Sequence, residues 1–243
     1  MKSFLVVGGA NGIGLSIAKV LAARGDTKKV YIVDKVPLAE KYKEERIESR
    51  VFDLTDVDYS IFDCYEDING LVITAGFGRL DLFENIPEEM IATYFQVNTI
   101  AVIRVIKHFY NRLLSREDFY CGVMVSIAGF MSSPFFSVYG ASKAALKIFI
   151  ESVNVELEKK GTSNRILNVS PGSIKGTSFG QGLTDLSQTE ALAREIIAHI
   201  EAKDDLFIPL YEEIFREVLE RYHRDFRVEG RHSYEYKLKS GRM

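Results

Sequence analysis

The run Phe4-Leu5-Val6-Val7-Gly8-Gly9-Ala10-Asn11-Gly12-Ile13-Gly14 decides the fold. Its four leading apolar residues show no polar alternation, the pattern of a strand buried on both faces. After the glycines, Ile13, Ile17, Val20 and Leu21 recur at helical spacing. The stretch therefore reads as strand, glycine turn and helix. Glycine tolerates positive φ and has no side chain to obstruct a ligand. The backbone of Gly8, Asn11, Gly12, Ile13 and Gly14 can thus approach a pyrophosphate at the positive end of the helix. A rival phosphate loop, G-x-x-x-x-G-K-[ST], nearly fits Gly9 to Ser16, but Leu15 stands where that loop needs lysine.

Working outward, Val30-Tyr31-Ile32-Val33 is a second buried strand, and it ends at Asp34, twenty residues after Gly14. That is the distance at which an acid meets the ribose of a bound dinucleotide. A carboxylate there accepts hydrogen bonds from the ribose hydroxyls and repels a 2'-phosphate. The expected cofactor is NAD, with NADP disfavoured; Lys35, next in the chain, softens the discrimination. A strand-capping acid is the alternative reading. The charged run Glu40 to Arg46 reads as a solvated helix or loop. Val51-Phe52-Asp53-Leu54 looks like the end of a third strand, with Asp53 facing an adenine amino group and Leu54 its ring. Asn69 to Thr74 reads as a fourth strand, and Ala75-Gly76 as a small corner that lets cofactor lie against backbone.

A helical stretch opens at Pro87 and runs through Asn98 toward Leu114. Asn98, set among Phe95, Val97, Ile100, Val102 and Ile103, is either a buried structural amide or part of a site. The chemistry concentrates between Ser126 and Lys143. Ser126 follows the strand Val123 to Val125, and Tyr139 and Lys143 stand four residues apart on one helical face. An ammonium beside a phenol favours phenolate. The expected effect is to draw the Tyr139 pKa from about 10 toward neutrality, as a general acid/base for alcohol and carbonyl chemistry requires. The loop between them carries Phe130, Met131, Phe135 and Phe136, which form a pocket wall or pack between subunits. A helix follows to about Gly161, then a strand from Arg165 to Ser170. The rigid turn Pro171-Gly172-Ser173-Ile174 comes next, then a glycine-rich lid from Lys175 to Gly182. Leu192, Ile196, Ile197 and Ile200 mark a further helix, and Leu206 to Ile208 a last strand.

The 243 residues are 47% hydrophobic and 27% charged, enough to bury a large core in one domain spanning 1–243 with a short tail from about 210. A net charge of -3 excludes a general attraction to nucleic acid or anionic membrane. Cys64 and Cys121 form no CxxC pair, and no apolar run approaches the ~20 residues of a membrane span. These features point to a cytoplasmic protein. The four histidines lack ligand spacing, so no metal is expected. From Arg221 to Met243, seven Lys/Arg face three Asp/Glu among Tyr222, Phe226, Tyr234 and Tyr236. The tail reads as a segment packed across a subunit interface or as a frayed end rather than a nucleic-acid arm.

Strand and helix patterns alternate throughout, which implies a doubly wound α/β fold with a parallel sheet of about seven strands, helices on both faces and ligand at the strands' carboxyl ends. From Lys2 to about Pro209 the sequence resembles the classical short-chain dehydrogenase/reductase family, whose fold is Rossmann-like. Gly8, Gly12 and Gly14 match its glycine turn, Asn98 its helix asparagine, Ser126, Tyr139 and Lys143 its catalytic set, and Pro171-Gly172 its post-strand turn. The resemblance implies hydride transfer between NAD(H) and a small or medium alcohol or carbonyl. Under it, Tyr139 exchanges a proton with the substrate oxygen and Ser126 holds that oxygen. Lys143 lowers the phenol pKa and binds the nicotinamide ribose, and Asn98 positions a water. The Ile174 backbone and Thr177 hold the carboxamide. It also implies a homodimer or homotetramer. Two rivals are a non-catalytic dinucleotide-binding scaffold, disfavoured by the intact set, and epimerase or dehydratase chemistry, which needs a larger C-terminal domain. Val7 stands where the family has threonine, and Ile73-Thr74-Ala75-Gly76 where it has Asn-Asn-Ala-Gly; Thr74 is a candidate substitute for the missing amide bonding.

Overall fold

The computed structural model describes residues 1–177, 179 and 183–239. Its centre is a seven-stranded sheet. The strands are β1 (Lys2–Val7), β2 (Thr27–Asp34), β3 (Ile47–Val51), β4 (Gly70–Ile73), β5 (Tyr120–Met124), β6 (Ile166–Val169) and β7 (Leu206–Phe207). They lie in the order β3-β2-β1-β4-β5-β6-β7, and every neighbouring pair is parallel. The chain builds outward from β1 in one direction, then crosses back to place β4 on the other side. The carboxyl ends of β1 and β4 therefore flank the crevice where such sheets bind ligands.

Successive strand residues serve opposite faces. Leu5 and Val7 pack with Val33, Leu71, Ile73, Val105, Leu146 and Ile150 on one side, whereas Phe4 and Val6 pack with Leu15, Ile17, Val72, Leu167 and Ile196 on the other. The second face is covered by α1 (Gly12–Ala22) and, from later in the chain, Leu186–Ala202; the first is covered by helices from the segment 88–159. Both faces are buried, which is why the strands carry no polar alternation.

The helical stretch after Pro87 is not one helix. It comprises α2 (Glu88–Phe95), a π-helical turn Gln96–Ile100, α3 (Ala101–His108) and α4 (Tyr110–Leu114), with a break at Phe109. Next come α5 (Ser137–Lys159) and α6 (Leu186–Ala202). The tail, which the sequence left between an interface segment and a frayed end, folds as two further helices, α7 (Arg216–Arg224) and α8 (Phe226–Lys239), packed back on the chain's own surface. No helix among the described residues is long and apolar enough to cross a membrane.

Candidate active site

The glycine turn leaves β1 tightly packed. Gly8 has φ 88°, and a Cβ on it would lie 2.4 Å from the Ala75 nitrogen. A Cβ on Gly14 would lie 2.3 Å from the Gly8 carbonyl oxygen and from Thr74 Oγ1. The side chain Thr74 brings to this corner donates to the Gly8 carbonyl at 2.9 Å, supplying a bond where the family pattern has an amide. Asn11 precedes α1 in extended conformation, with no side-chain cap among the described residues and no acid in the helix's first turn. With no acid in that first turn, the helix's partial positive charge at Gly12–Gly14 suits a phosphate group.

Thr177 and Thr184 border the turn. A Cβ on Gly12 would sit 3.5 Å from Thr177 Cβ, and the Gly12 N–H donates to Thr184 Oγ1 at 3.1 Å. Thr184 gave no signal in the sequence, because its role depends on a contact 172 residues away. Of the expected lid, Ser178, Gly180, Gln181 and Gly182 lie outside the described residues. Asp34 ends β2 beside the turn, where its two carboxylate oxygens accept from Ala10 N at 2.9 Å and Val36 N at 3.2 Å.

The third-strand corner holds Asp53 in a local turn. Its Oδ1 accepts from Thr55 N and Thr55 Oγ1, and these bonds, helped by Lys35, hold its carboxyl below the usual carboxylate range. The Leu54 side chain is buried in the core with Val33 and Ile73, so the corner presents the Asp53 carboxyl and backbone. Ala75 and Gly76 follow β4 directly. A Cβ on Gly76 would lie 3.1 Å from Asn98 Oδ1 and 3.2 Å from Lys143 Nζ, which brings these two side chains to one point.

Asn98 sits in the π-helical turn, fully buried. Its Oδ1 accepts from Phe77 N at 2.9 Å, and its Nδ2 donates to Phe77 O at 2.9 Å and to Ser142 Oγ at 3.2 Å. The Ser142 hydroxyl donates in turn to the Tyr139 carbonyl at 2.7 Å. This chain of bonds ties the Gly76–Phe77 corner to the helix carrying the phenol. Ser142 was overlooked in the sequence because a serine between two singled-out residues carries no pattern of its own.

Ser126 follows β5 and caps a short turn, accepting from Ala128 N at 3.1 Å. The same hydroxyl lies close enough to the Tyr139 phenol to work against the rise in its pKa. Tyr139 and Lys143 lie one turn apart on α5, as their spacing requires. Lys143 Nζ donates to the Met124 carbonyl at 2.9 Å and lies 6.0 Å from the Tyr139 ring centroid.

The electrostatics correct one expectation. Lys143 does not draw the phenol toward neutrality in this structure. Burial pushes Tyr139 up to about 12; the Ser126 hydroxyl opposes that shift and nearby Tyr94 adds to it. Burial likewise brings Lys143 down to about 7. The physical reason is desolvation, which disfavours phenolate and ammonium alike. Phe136 and Phe179 enclose the phenol, with ring centroids 5.1 and 5.5 Å away, and a lysine near half charge contributes little against that.

Close to this cluster, Phe77 stacks on Tyr94 at 4.6 Å, and the Tyr94 hydroxyl accepts from Arg79 N at 3.2 Å. Tyr94, buried beside Tyr139, is a further site residue that its helix spacing did not reveal. The post-strand turn is anchored by Ile127 N donating to Pro171 O at 3.1 Å. A Cβ on Gly172 would strike the Phe215 ring at 2.5 Å, and Ile174 O accepts from Thr177 Oγ1 at 3.1 Å. The structure thus gathers Gly8, Gly12, Gly14, Asp34, Ala75, Gly76, Asn98, Ser126, Tyr139, Lys143 and the 171–177 turn along the carboxyl edge of one sheet.

Known proteins resemble this chain in sequence and in fold. An uncharacterized short-chain type dehydrogenase/reductase of Sinorhizobium fredii is 29% identical over 189 residues, covering 74% of this chain and 72% of that protein. Retinol dehydrogenase 8 of Homo sapiens is 29% identical over 204 residues, covering 78% of this chain and 64% of that protein. Among solved structures, a short-chain dehydrogenase from Streptomyces avermitilis shares the fold with a TM-score of 0.75 at 21% identity, over 98% of both chains. One from Sphingobium yanoikuyae, in complex with NADPH, gives 0.73 at 21% identity, covering 93% of this chain and 96% of that one. The family described as short chain dehydrogenase matches residues 2–188, and the chain belongs to that family of oxidoreductases.

Proposed function

We propose that this protein transfers hydride between NAD(H) and a small or medium, partly apolar alcohol or carbonyl compound, with Tyr139 as the general acid/base. The observation that carries the reading is the meeting of Ser126, Tyr139 and Lys143 beside the glycine turn.

The residues present fit a dinucleotide. The amides of Asn11 and Ile13 at the start of α1, joined by that of Gly12 on exchange of its bond to Thr184 Oγ1, would take the pyrophosphate, and Asp34 the adenosine ribose. Asp53 and the backbone at Leu54 would border the adenine. Ala75 and Gly76 would line the far ribose, with Lys143 in reach of its hydroxyls. Ile174 and Thr177, with Pro171 and Gly172 holding their turn, would meet the carboxamide. Bound there, the nicotinamide supplies or accepts the hydride.

The chain's own residues handle the proton. The Tyr139 phenol stays protonated throughout the neutral range and so is set to donate to a substrate oxygen as negative charge develops there, the direction of carbonyl reduction; alcohol oxidation would need its phenolate, which burial disfavours. Ser126 accepts from Ala128 N and keeps its own O–H to hold the same oxygen. Asn98 and Ser142 fix the helix that carries the phenol. Phe77, Tyr94, Phe136 and Phe179 supply the apolar surround that favours a partly apolar substrate.

The experiment is Tyr139→Phe, assayed by nicotinamide absorbance against a panel of alcohols and carbonyls with both cofactors. Turnover should drop by about 10²-fold or more while NADH affinity stays within a few-fold. Unchanged turnover would remove Tyr139 from the mechanism.

A further inference from the structure

The matched family segment ends at residue 188, yet the helices beyond it reach back to the catalytic side of the sheet. Asp225 joins α7 to α8 and caps α8, its carboxylate accepting from Arg227 N at 2.9 Å and Val228 N at 3.2 Å. Arg221 of α7 bonds the buried Glu229 of α8 at 2.7 Å, which fixes the two helices as one hairpin.

One stripe of α8, Phe226, Gly230, Tyr234 and Lys237, follows helical spacing and lies on the 130–136 loop. Ser132 Oγ donates to the Phe226 carbonyl at 3.4 Å, and a Cβ on Gly230 would lie 3.6 Å from Ser132 Oγ. The Tyr234 ring packs on Phe135 with centroids 4.5 Å apart. Lys237 Nζ donates to Ser133 Oγ and to the Pro134 carbonyl, both at 2.7 Å, and sits 5.2 Å from the centroid of the Phe136 ring.

The loop so held contains a strained residue. Phe135 has φ 66°, a left-handed conformation that bulky side chains avoid, and it is buried. Such a backbone persists only where its surroundings over-determine it. Here Tyr234 holds the ring, Asp81 N binds the Phe135 carbonyl at 2.9 Å, and Lys237 fixes the residues on either side. The next residue, Phe136, packs on Tyr139.

We propose that α8 is a clamp on the substrate side of the site. Lys237 and Tyr234 are positioning residues that hold the strained Phe135 turn and so press Phe136 toward Tyr139, shaping the site for a flat apolar group beside the reacting oxygen. The claim about substrate rests on the oxidoreductase reading above; the claim about the clamp does not.

The test compares Lys237→Met, Tyr234→Ala and Lys237→Arg with the wild-type chain. Hydrogen exchange in peptides containing Asp81 and Phe136 should accelerate about fivefold or more in Lys237→Met and Tyr234→Ala, with β1 and α1 unchanged, and return toward wild type in Lys237→Arg. Unchanged exchange at these amides, or equal acceleration across the sheet, overturns the clamp. With acetophenone and NADH, KM should rise about tenfold in Lys237→Met while kcat and NADH affinity hold within twofold. A fall in kcat alone, or the same KM change for acetone, overturns the shaping role. A wild-type chain that reduces no ketone counts against the oxidoreductase reading, and the exchange experiment still decides the clamp.

Discussion

Lys143 shows how one residue's setting can reverse the sign of an argument built on its neighbour. Its ammonium is buried and binds the Met124 carbonyl, and the group falls from 10.5 to about 7. Between those values the unfolded chain holds a proton that the folded chain has released. Folding stability therefore rises with pH across that window, by at most about 1.4 kcal/mol per pH unit from this group. Lys143→Met should flatten the rise and increase stability at pH 7, as read by urea melts at pH 7 and 9. An unchanged slope would mean that the amine stays charged when folded. The proposed preference for NAD rests on Asp34 at the same scale. Its carboxylate already accepts two backbone N–H groups, so it is held in place at the end of β2 before any ribose arrives. Asp34→Ala should weaken NADH binding about tenfold and NADPH binding less, by titration calorimetry. Equal losses would undo the preference for NAD.

Among elements, the stretch from Pro87 to Leu114 is the most informative. Its apolar spacing predicts one helix, and the structure interrupts that helix with a π-helical turn at Gln96–Ile100. Such a turn inserts one extra residue into the helical ladder and is frequent at functional sites. Here it coincides with the aim of the Asn98 amide at both backbone groups of Phe77. Asn98→Ala would leave the Phe77 N–H and C=O without these partners at a partly buried corner. The expected cost is about 2–4 kcal/mol in urea unfolding, with NADH affinity falling as the Gly76–Phe77 corner loosens. A loss below about 1 kcal/mol would show that the amide does not pin the corner.

At the scale of the whole molecule, the face of α5 turned away from the sheet carries Ile148 and Val155, each 57% exposed and two helical turns apart, and Ile100 on the neighbouring turn is 46% exposed. Apolar residues aligned on one exposed helix face suit a symmetric contact between copies. We expect a homodimer or homotetramer, and light scattering should read at least twice the chain mass. Ile148→Glu with Val155→Glu should shift it to the monomer. A wild-type monomer at micromolar concentration would set the proposal aside.

The alternation of strands and helices, the glycine turn, Asp34 at its distance and the one-turn spacing of Tyr139 and Lys143 were all legible in the sequence, because each follows from local backbone geometry and a short repeat period. The rest required coordinates. The inward turn of Leu54, the Thr184 contact with Gly12, the folding of α8 onto the 130–136 loop and the direction of both site pKa values depend on neighbours many residues away. Periodicity reports which face of an element is apolar. Desolvation and long-range hydrogen bonding are sums over whatever the fold brings near, and only the tertiary structure decides them.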